Sequence, residues 1–285
     1  MILVFGKTGQ VGTELQAFEG VRALGRDEAD LSKPKTCTEA IKFYKPQAVI
    51  NAAAYTAVDK AEDEERLANT INGEAPSAMA KACFELDIPL IHISTDYVFD
   101  GSGLIPWRVT DTPNPINAYG RSKLQGEKAI QASGCIYAIL RTSWVVSRTG
   151  NNFVKTMLRL TETNNALSIV NDQIGGPTCG RDIAQICIAI TKQLMDNRNN
   201  IGIYHYSGHP DVSWCQFANL IFEQIECKTI AVPIRTSEYN TSALRPLNSR
   251  LDCSQTEKVF GVSRPKWING LKQILRDLEE KNDKA

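Results

Sequence analysis

The chain starts with a short apolar run that leads into a glycine-rich turn, and no other feature restricts its fold as strongly. Residues 2–5 read Ile-Leu-Val-Phe, and Gly6, Gly9 and Gly12 follow with the spacing G-x-x-G-x-x-G. A short apolar run closed by glycine is typical of a buried strand, and a helical pattern follows at residues 13–18. Glycine allows a tight turn and lets a pyrophosphate approach the N-terminus of the helix. This segment therefore predicts the first strand–turn–helix unit of a dinucleotide-binding fold.

The tripeptide Gly-Lys-Thr at residues 6–8 is shared with the P-loop of nucleoside triphosphatases. A P-loop has the pattern G-x-x-x-x-G-K-[ST], in which the Lys and the Ser or Thr open the helix. Here the tripeptide follows the strand directly, and no glycine precedes it. The pattern therefore favours dinucleotide binding over a P-loop.

Strands and helices alternate through the first half of the chain. The longest helical pattern covers residues 62–86. This order predicts an α/β fold with a parallel, doubly wound Rossmann sheet. The apolar runs that indicate its strands lie at residues 2–5, 21–24, 48–51, 89–93 and 137–144.

Beyond about residue 145 the alternation becomes irregular. Helical patterns and short apolar runs still occur, so we expect a smaller α/β C-terminal substrate lobe. The predicted dinucleotide-binding domain covers residues 1–145 and is completed by part of residues 172–206, and the predicted lobe covers residues 146–171 and 207–285.

Composition and charge exclude several classes of function. The 285 residues carry 32 basic and 32 acidic side chains, and this zero net charge gives no electrostatic basis for binding nucleic acid or an anionic membrane. No apolar run approaches the roughly 18 residues that span a bilayer, and we expect no signal peptide. The eight cysteines contain no C-x-x-C pair, which indicates reduced thiols and no metal site. We therefore expect a cytoplasmic protein without nucleic-acid or membrane partners.

Tyr119 and Lys123 form a Y-x-x-x-K pair in a predicted helix, whose pattern continues with Glu127 and Lys128 on an outer face. Side chains four residues apart on a helix are neighbours, with about 5–6 Å between their Cβ atoms. An ammonium beside a phenol lowers the pKa of the phenol, and such a tyrosine can exchange a proton with a carbonyl or an alcohol. Alone, such a pair favours the simpler interpretation of an exposed tyrosine and lysine on an ordinary helix.

Small or polar residues follow two of the predicted strands. Alanines occupy residues 52–54 after the third strand, and Ser94, Thr95 and Asp96 end the fourth. Because ligands of parallel α/β sheets bind outside the carboxyl ends of the strands, we expect a site at this edge.

Arg26 follows the second predicted strand, where a dinucleotide fold contacts the adenosine ribose. An arginine there suits a 2′-phosphate, whereas an acid would bind the 2′-hydroxyl, so the sequence favours NADPH. Asp30 lies near enough in sequence for NADH to remain an alternative. A solvated turn residue is an equally open interpretation of Arg26.

The glycine pattern, the Ser94-Thr95-Asp96 strand end and the Tyr119–Lys123 pair together resemble the extended short-chain dehydrogenase/reductases. Within that superfamily the chain is similar to the dTDP-4-dehydrorhamnose reductase family. The similarity covers nearly the whole chain, which makes it far more specific than any single motif. It rests on stretches in family order at residues 6–12, 55–62, 94–101, 141–144, 150–158, 171–178 and 245–251.

The resemblance implies NADPH-dependent reduction of the 4-keto group of dTDP-4-dehydro-L-rhamnose to dTDP-L-rhamnose. It implies a triad of Thr95, Tyr119 and Lys123, in which Tyr119 donates the proton to the forming alkoxide and Thr95 hydrogen-bonds the same oxygen. Lys123 would lower the pKa of the tyrosine and hold the nicotinamide ribose. The C-terminal lobe would bind the sugar nucleotide, in a monomer or a homodimer.

The glycine turn, Arg26 and the resemblance together define the candidate ligand contacts. An indole offers a flat apolar wall to a 6-deoxy sugar, and cations suit a diphosphate. The predicted cofactor-binding residues are Gly6, Gly9, Gln10, Val11, Gly12, Arg26, Asp30, Leu31, Ala54, Tyr55, Thr56, Tyr119 and Lys123. The predicted substrate-binding residues are Thr95, Asp96, Tyr97, Phe99, Trp144, Asn152, Lys155 and Arg245.

The chain departs from the family pattern at two places. Tyr55 stands where a histidine is common, and residues 145–147 read Val-Val-Ser where Val-Tyr is usual, which bears on the sugar pocket. Some relatives dimerise through magnesium held by glutamates. Glu14 is a candidate for one of these positions and the others cannot be assigned from the sequence, so we predict no metal.

Two other classes of function remain open. A nucleotide-sugar dehydratase or epimerase shares the fold, but dehydratases place a second acid after the aspartate, where this chain has Tyr97. Other relatives are non-catalytic nucleotide-binding regulatory subunits of methionine adenosyltransferase. An intact triad argues against such a subunit, although fold alone does not determine function.

Overall fold

The computed structural model describes residues 1–282. In chain order its strands are β1 (Ile2–Phe5), β2 (Val21–Leu24), β3 (Ala48–Asn51), β4 (Leu90–Thr95), β5 (Tyr137–Thr142), β6 (Val145–Val146), β7 (Ala166–Val170), β8 (Ile174–Gly175), β9 (Thr178–Cys179), β10 (Gly202–His205), β11 (Val212–Ser213), β12 (Ile230–Ile234) and β13 (Asn248–Ser249). Its helices are α1 (Gln10–Leu15), α2 (Pro34–Tyr44), α3 (Val58–Ala61), α4 (Glu65–Asn69), α5 (Ala75–Leu86), α6 (Ala118–Ala132), α7 (Phe153–Thr161), α8 (Gly180–Asp196), α9 (Trp214–Gln224), α10 (Ser254–Phe260) and α11 (Trp267–Asn282). A π-helical turn (Thr70–Glu74) joins α4 to α5, and a 3-10 turn (Asp96–Val98) follows β4.

Parallel strands form the central sheet in the order β10-β5-β4-β3-β1-β2. Phe5 lies beside Asn51, and Thr95 lies beside Thr142, so the carboxyl ends of the central strands are level. The strands are apolar because helices cover both faces, with α2, α5 and α6 on one face and α1 and α8 on the other. The predicted α/β fold with a doubly wound parallel sheet is confirmed.

The strand order changes direction at β1, because β2 lies on one side of it and β3 on the other. In open α/β sheets a ligand crevice forms outside the carboxyl ends of the strands at such a point. The glycine turn follows β1, the alanines follow β3, and Thr95 ends β4. Residues predicted from separate motifs therefore share one edge of the sheet.

Short strands and helices from the second half of the chain form further layers beside this sheet. The strands associate as β11-β8-β13, β12-β7 and β6-β9. Helices α7, α9 and α11 pack around an apolar core that includes Met157, Phe217 and Trp267. In the described range, none of the helices combines the length and apolarity of a membrane-spanning segment.

Two helices differ from their predicted extents. The first begins at Gln10 instead of residue 13, because Gly9 is already the extended N-cap residue. The predicted helix at residues 62–86 is interrupted, since α4, the π turn and α5 follow one another. Asn72 is buried in this π turn. Such π-helical turns frequently occur at functional sites.

A buried ion pair fastens α6 to the sheet. Arg141 on β5 donates to both carboxylate oxygens of Glu127 at 2.6 to 3.2 Å, and the two side chains are 2% and 1% exposed. Ser94 on β4 donates to the same carboxylate at 2.5 Å. Because each buried charge needs its partner, the position of α6, with Tyr119 and Lys123, depends on this pair.

Arg141→Met should lower the free energy of unfolding by about 3–5 kcal/mol, because it leaves the Glu127 carboxylate buried without its partner. Arg121→Met is the matched control, since Arg121 also pairs with a glutamate, Glu65, but does so at the surface of α6. Loss of that exposed pair should cost about 0–1 kcal/mol. Urea unfolding followed by circular dichroism measures both, and equal losses would contradict the importance assigned to the buried pair.

Candidate active site

Tyr119 is positioned by the first turn of α6. Asn117 precedes the helix in extended backbone, and its side-chain oxygen accepts a hydrogen bond from the backbone N–H of Gly120 at 2.8 Å. A Cβ atom on Gly120 would collide with the carbonyl oxygen of Tyr97, so glycine permits the close approach. The rings of Tyr97 and Tyr119 meet edge to face, with centroids 5.6 Å apart. The helix start is therefore packed directly against the residues that follow β4.

Thr95 lies beside the Tyr119 phenol. The Thr95 hydroxyl accepts from the backbone N–H of Tyr97 and donates to Asp96 Oδ1, each at 3.1 Å. Burial raises the pKa of Tyr119 to about 12, with the Thr95 side chain acting against this rise and the Asp96 charge adding to it. A phenol with a raised pKa stays protonated at neutral pH, as a proton donor must.

The pKa of the Tyr119 phenol is raised and Lys123 is not among the groups that shift it, contrary to the expectation from sequence. The Lys123 side chain is 2% exposed, and its Nζ donates to the carbonyl oxygen of Ile93 at 2.7 Å and lies 3.2 Å from His92 Nε2. Burial lowers the pKa of Lys123 to about 8, although Glu127 acts in the opposite direction. The expectation was wrong because it considered the charge of the lysine and ignored the burial of both groups.

Asp96 is a second acidic group beside the triad. Its side chain is 3% exposed, and burial raises its pKa to about 6. Asp96 Oδ1 accepts from Thr95, whereas Oδ2 is buried and has no hydrogen-bond partner among the described residues. An unpartnered carboxyl oxygen at this place is a candidate acceptor for a donor group of a ligand.

The glycine turn after β1 leaves no room for a side chain at Gly6 or at Gly12. Gly6 has a φ of +103°, which favours glycine, and a Cβ there would lie 2.9 Å from the backbone of Ala52. A Cβ on Gly12 would collide with the carbonyl oxygen of Gly6. Nearby, Gln10 Oε1 is buried and lacks a hydrogen-bond partner within the described part of the chain. This open backbone at the carboxyl end of β1 fits the diphosphate of a dinucleotide.

Arg26 and Asp30 form an ion pair beyond β2, with 3.4 Å between Nε and Oδ1. The Arg26 side chain is 78% exposed, so a phosphate in solvent can reach it. Burial acts to raise the pKa of Asp30, but hydrogen bonds with Ser32 and the charge of Arg26 hold it below its usual value. Leu31 is buried next to this pair. The geometry therefore leaves both the phosphate-binding and the solvated interpretation of Arg26 open.

The segment at residues 54–56 follows β3 and packs close to Tyr119. The backbone N–H of Tyr55 donates to Asn72 Oδ1 at 2.8 Å, and the Tyr55 hydroxyl donates to Glu64 at 2.6 Å. This bond to Glu64 raises the pKa of Tyr55 to about 12. The rings of Tyr55 and Tyr119 pack against the same cluster of small side chains, formed by Ala61, Ala68 and Ala118. The predicted cofactor loop and the predicted proton donor are thus brought together.

Trp144 follows β5 with a φ of +48°, a strained conformation for a bulky residue. Such strain is often found at binding sites. Its indole is partly exposed and stacks on Trp214, with ring centroids 3.5 Å apart and planes inclined by 10°. Trp214 was not predicted, and it belongs to α9, so the second half of the chain orients the candidate sugar wall.

Phe99 lies in the core. Its ring is fully buried and stacks on Trp107, with centroids 4.6 Å apart. The Arg141 guanidinium lies 5.0 Å from the centroid of the Phe99 ring. The ring therefore supports the segment after β4 and offers no accessible surface for the predicted substrate contact.

Two of the remaining predicted substrate residues, Arg245 and Asn152, have partners for their side chains within the protein. Arg245 donates to both carboxylate oxygens of Asp59, at 2.6 and 3.1 Å. Asn152 is the N-cap of α7, where its side chain accepts from the backbone N–H of Lys155 at 3.3 Å and donates to the carbonyl oxygen of Ser147 at 2.7 Å. Asn152 thus has a structural role, and Arg245 would have to share its guanidinium between Asp59 and a phosphate.

Several buried polar residues behind the triad were missed. Glu127 was expected on an outer face of α6, and this was wrong, because Arg141 holds it in the interior with no exposed surface. Lys128 is exposed, as expected. His92 did give a sequence signal, since it interrupts the apolar run of β4. Asn51, at the end of β3, gave none beyond its polarity.

Comparison with known proteins gives matches over nearly the full length. Residues 1–280 match the family described as RmlD substrate binding domain. The chain is 41% identical over 284 residues to a dTDP-4-dehydrorhamnose reductase of Sinorhizobium fredii, with 96% of each protein covered. The crystal structure of a dTDP-4-dehydrorhamnose reductase of Clostridium acetobutylicum has a TM-score of 0.91 at 35% identity, covering 98% of this chain and 99% of that one.

A further crystal structure is that of a dTDP-4-dehydrorhamnose reductase of Bacillus anthracis in complex with NADP. It has a TM-score of 0.90 at 33% identity and covers 97% of this chain and 98% of that one. The matches therefore include both the central sheet and the layers of short strands. The chain belongs to the dTDP-4-dehydrorhamnose reductase family of oxidoreductases, whose shared region is the RmlD substrate binding domain.

Proposed function

We propose that this protein reduces the 4-keto group of dTDP-4-dehydro-L-rhamnose to give dTDP-L-rhamnose, with NADPH supplying the hydride and Tyr119 the proton. The observation that carries the proposal is the juxtaposition of Thr95 and Tyr119 at the carboxyl end of β4, one helical turn before Lys123. Reduction of a ketone requires a proton donor at the oxygen that becomes the alcohol. A buried phenol next to a hydroxyl meets that requirement.

Tyr119, Thr95 and Lys123 would have different roles in this reaction. Tyr119 keeps its proton through the neutral range, because its pKa is raised to about 12, and gives it up when a more basic alkoxide forms. The Thr95 hydroxyl now donates to Asp96, and rotation about its C–O bond would redirect this donor to the substrate oxygen. Lys123 would hold the nicotinamide ribose from the buried side of the site.

The residues of the glycine turn fit the cofactor. The backbone there is open, and a Cβ on Gly6 or Gly12 would fill the space beside Ala52. We propose that the residues predicted from sequence around this turn, together with Ala54, Tyr55 and Thr56, bind the dinucleotide. Arg26 favours NADPH, and its pairing with Asp30 leaves NADH usable.

We also propose that the chain divides functionally as the sequence predicts, with residues 146–171 and 207–285 binding the sugar nucleotide and Trp144 forming a wall of the sugar pocket. Two features support this division. The strands β6–β9 and β11–β13 lie outside the central sheet, and Trp214 of α9 stacks on Trp144. Asp96 and Tyr97 would contact the sugar, and Lys155 and Arg245 the diphosphate.

A non-catalytic nucleotide-binding subunit is the main alternative. It would bind a dinucleotide without turnover, whereas the proposed enzyme consumes NADPH only in the presence of the keto-sugar. A dehydratase is disfavoured because Tyr97, whose pKa is raised by burial, occupies the position of the second acid. Product identification separates these cases.

The protein should oxidise NADPH in the presence of dTDP-4-dehydro-L-rhamnose and form dTDP-L-rhamnose, identified by NMR. Tyr119→Phe removes only the hydroxyl, so NADPH should still bind while turnover falls by about 10²–10⁴. Tyr44→Phe is the control, because the Tyr44 hydroxyl contacts Arg22 at the exposed end of β2. Near-normal turnover of Tyr119→Phe would exclude the assigned proton donor, and absence of turnover in the unmodified protein would exclude the enzyme.

Arg26→Ala should weaken NADPH binding about ten- to a hundredfold and leave NADH binding unchanged, since a charge-assisted hydrogen bond contributes roughly 1.5–3 kcal/mol. Lys35→Ala serves as the control, because Lys35 is also exposed and pairs with an acid four residues later. Fluorescence titration with both cofactors measures the effect. Unchanged NADPH affinity, or a preference of the unmodified protein for NADH, would show that Arg26 does not contact the 2′-phosphate.

Trp144→Ala should raise the KM for the keto-sugar nucleotide much more than that for NADPH, because it removes the proposed apolar wall. Trp144→Phe retains an aromatic surface and should have the smaller effect.

Arg245→Met and Lys155→Met should weaken the binding of dTDP and leave the binding of NADPH unchanged, as measured by calorimetry with each ligand. Equal losses for both ligands in these variants would indicate damage to the fold instead of a substrate site.

A further inference from the structure

Three acidic residues follow β2 at the end of the sheet where the adenosine ribose of a dinucleotide would lie. They are Asp27, Glu28 and Asp30. In dinucleotide-binding folds, an acid about 20 residues after the glycine turn binds the ribose hydroxyls, and an arginine there accommodates a 2′-phosphate. The acid that is free to bind a ribose therefore bears on the choice between NADH and NADPH.

Two of these acids already bind groups of the turn that contains them. Glu28 Oε2 accepts a hydrogen bond from the backbone N–H of Gly25 at 3.2 Å. Asp30 Oδ1 accepts from the backbone N–H of Ser32 at 3.0 Å and lies 3.4 Å from Arg26 Nε. Each of these carboxylates would have to give up a contact within the protein in order to bind a ligand.

Asp27 is the acid that remains. Its side chain is exposed, and within residues 1–282 it has neither an ion pair nor a hydrogen-bond partner. The carbonyl oxygen of Gly25 accepts from the backbone N–H groups of Glu28 and Ala29, at 3.2 and 2.9 Å, and this tight turn brings Asp27 back over Gly25. A Cβ atom on Gly25 would collide with Asp27 Oδ1. The Asp27 carboxylate therefore lies directly over the residue that follows β2.

Lys7 reaches the same glycine from the turn after β1. Its backbone N–H and that of Gly6 both donate to the carbonyl oxygen of Leu24, at 3.0 and 3.2 Å. Its Cδ atom would lie 3.9 Å from a Cβ atom on Gly25. The Lys7 side chain is exposed and, among the residues that the structure describes, has no acidic partner. An ammonium and a carboxylate, both without partners, thus flank one glycine.

We propose that Asp27 and Lys7 determine the choice of cofactor, with the Asp27 carboxylate accepting from the ribose hydroxyls of NADH and the Lys7 ammonium binding the 2′-phosphate of NADPH. Both residues contact the adenosine end of the cofactor, away from the reacting atoms. Only the placement of a dinucleotide at the glycine turn is taken from the proposed function. The acid of the ribose site is then Asp27 instead of Asp30.

The two groups make opposite demands on the 2′ position of the ribose. A carboxylate only accepts hydrogen bonds, so it suits a hydroxyl and repels a phosphate, whereas an ammonium only donates and suits the phosphate. Arg26 supplies a second cation, but Asp30 competes for its guanidinium. The protein therefore binds both cofactors, and Asp27 limits the preference for NADPH that Lys7 and Arg26 produce.

Asp27→Ala should weaken NADH binding about ten- to a hundredfold, because a hydrogen bond to a charged group is lost. The same change should strengthen NADPH binding about three- to tenfold, because the carboxylate no longer repels the 2′-phosphate. Lys7→Met keeps an unbranched side chain over Gly25 and removes the ammonium. It should weaken NADPH binding about tenfold and leave NADH binding unchanged.

Fluorescence titration with NADPH and NADH at low ionic strength measures these effects, since salt screens exposed charges. Asp196→Ala and Lys192→Met are the matched controls, because both side chains are exposed near the C-terminal end of α8, which leads to the amino end of β10 at the opposite edge of the sheet. Loss of these distant charges should change the ratio of NADPH to NADH affinity by less than about twofold.

Two fragments, AMP and adenosine 2′,5′-bisphosphate, isolate the ribose from the rest of the cofactor. The affinity gained from the 2′-phosphate, measured by calorimetry, should fall in Lys7→Met and rise in Asp27→Ala. Neither fragment contains the nicotinamide, so the comparison is independent of the residues proposed for the reduction.

An unchanged ratio of NADPH to NADH affinity in Asp27→Ala or in Lys7→Met would overturn the roles assigned to this pair. Equal losses for both cofactors would overturn them as well, because such losses indicate damage to the turn. If the unmodified protein bound neither cofactor, the proposed function would fail together with the pair. These measurements use no keto-sugar, so an altered cofactor ratio without turnover would support the pair and exclude the reduction alone.

Discussion

The ion pair of Glu127 and Arg141 is the contact on which the arrangement of the active-site region depends. Both side chains are shielded from water, so neither charge is compensated without the other. Ser94 donates to the same carboxylate, and the guanidinium lies over the ring of Phe99. The ion pair thus links α6 to β4 and β5, and through Phe99 to the segment after β4. The relative position of Thr95 and the first turns of α6 follows from this linkage.

Burial acts on the two titratable members of the triad in a consistent way. It raises the pKa of Tyr119 to about 12 and lowers that of Lys123 to about 8, because a low-dielectric environment disfavours the charged form of either group. The ligand-free site therefore favours the neutral form of each group more than water does. In the proposed reduction, charge would develop there when a proton is transferred, and the Thr95 hydroxyl would be in place to stabilise it. Such a site depends on the exclusion of water as much as on the identity of its residues.

The side of the site where we propose that the substrate binds is assembled from segments far apart in the chain. Arg245 binds Asp59 across 186 positions, and Asn117, the cap of α6, donates to the carbonyl oxygen of a residue 127 positions later. Trp144 gains its orientation from Trp214. These contacts join the second half of the chain to the helix that carries Tyr119. The position of Tyr119 therefore depends on packed contacts from segments far along the chain.

The amino-acid sequence by itself determined the alternation of strands and helices, the glycine turn after β1 and the spacing of Tyr119 and Lys123 on one helix. These features follow from local rules: side-chain periodicity, the conformational freedom of glycine and the spacing of a helical turn. Proximity of Thr95 to Tyr119 was implied by the family resemblance, because Tyr119 lies on a helix and the rule that parallel strands end at one edge does not place it.

Tertiary structure alone decided the protonation and burial of these groups. Glu127 has a polar side chain at a position that helical periodicity assigns to the surface, yet Arg141 arrives from a strand to enclose it. Phe99 follows the triad threonine closely in sequence, but stacking on Trp107 removes it from the pocket. The pKa values of Tyr119 and Lys123 depend on how many atoms surround them, a quantity that spacing along the chain does not contain. Local pattern specifies which elements form, and the packing of distant elements specifies what each side chain can do.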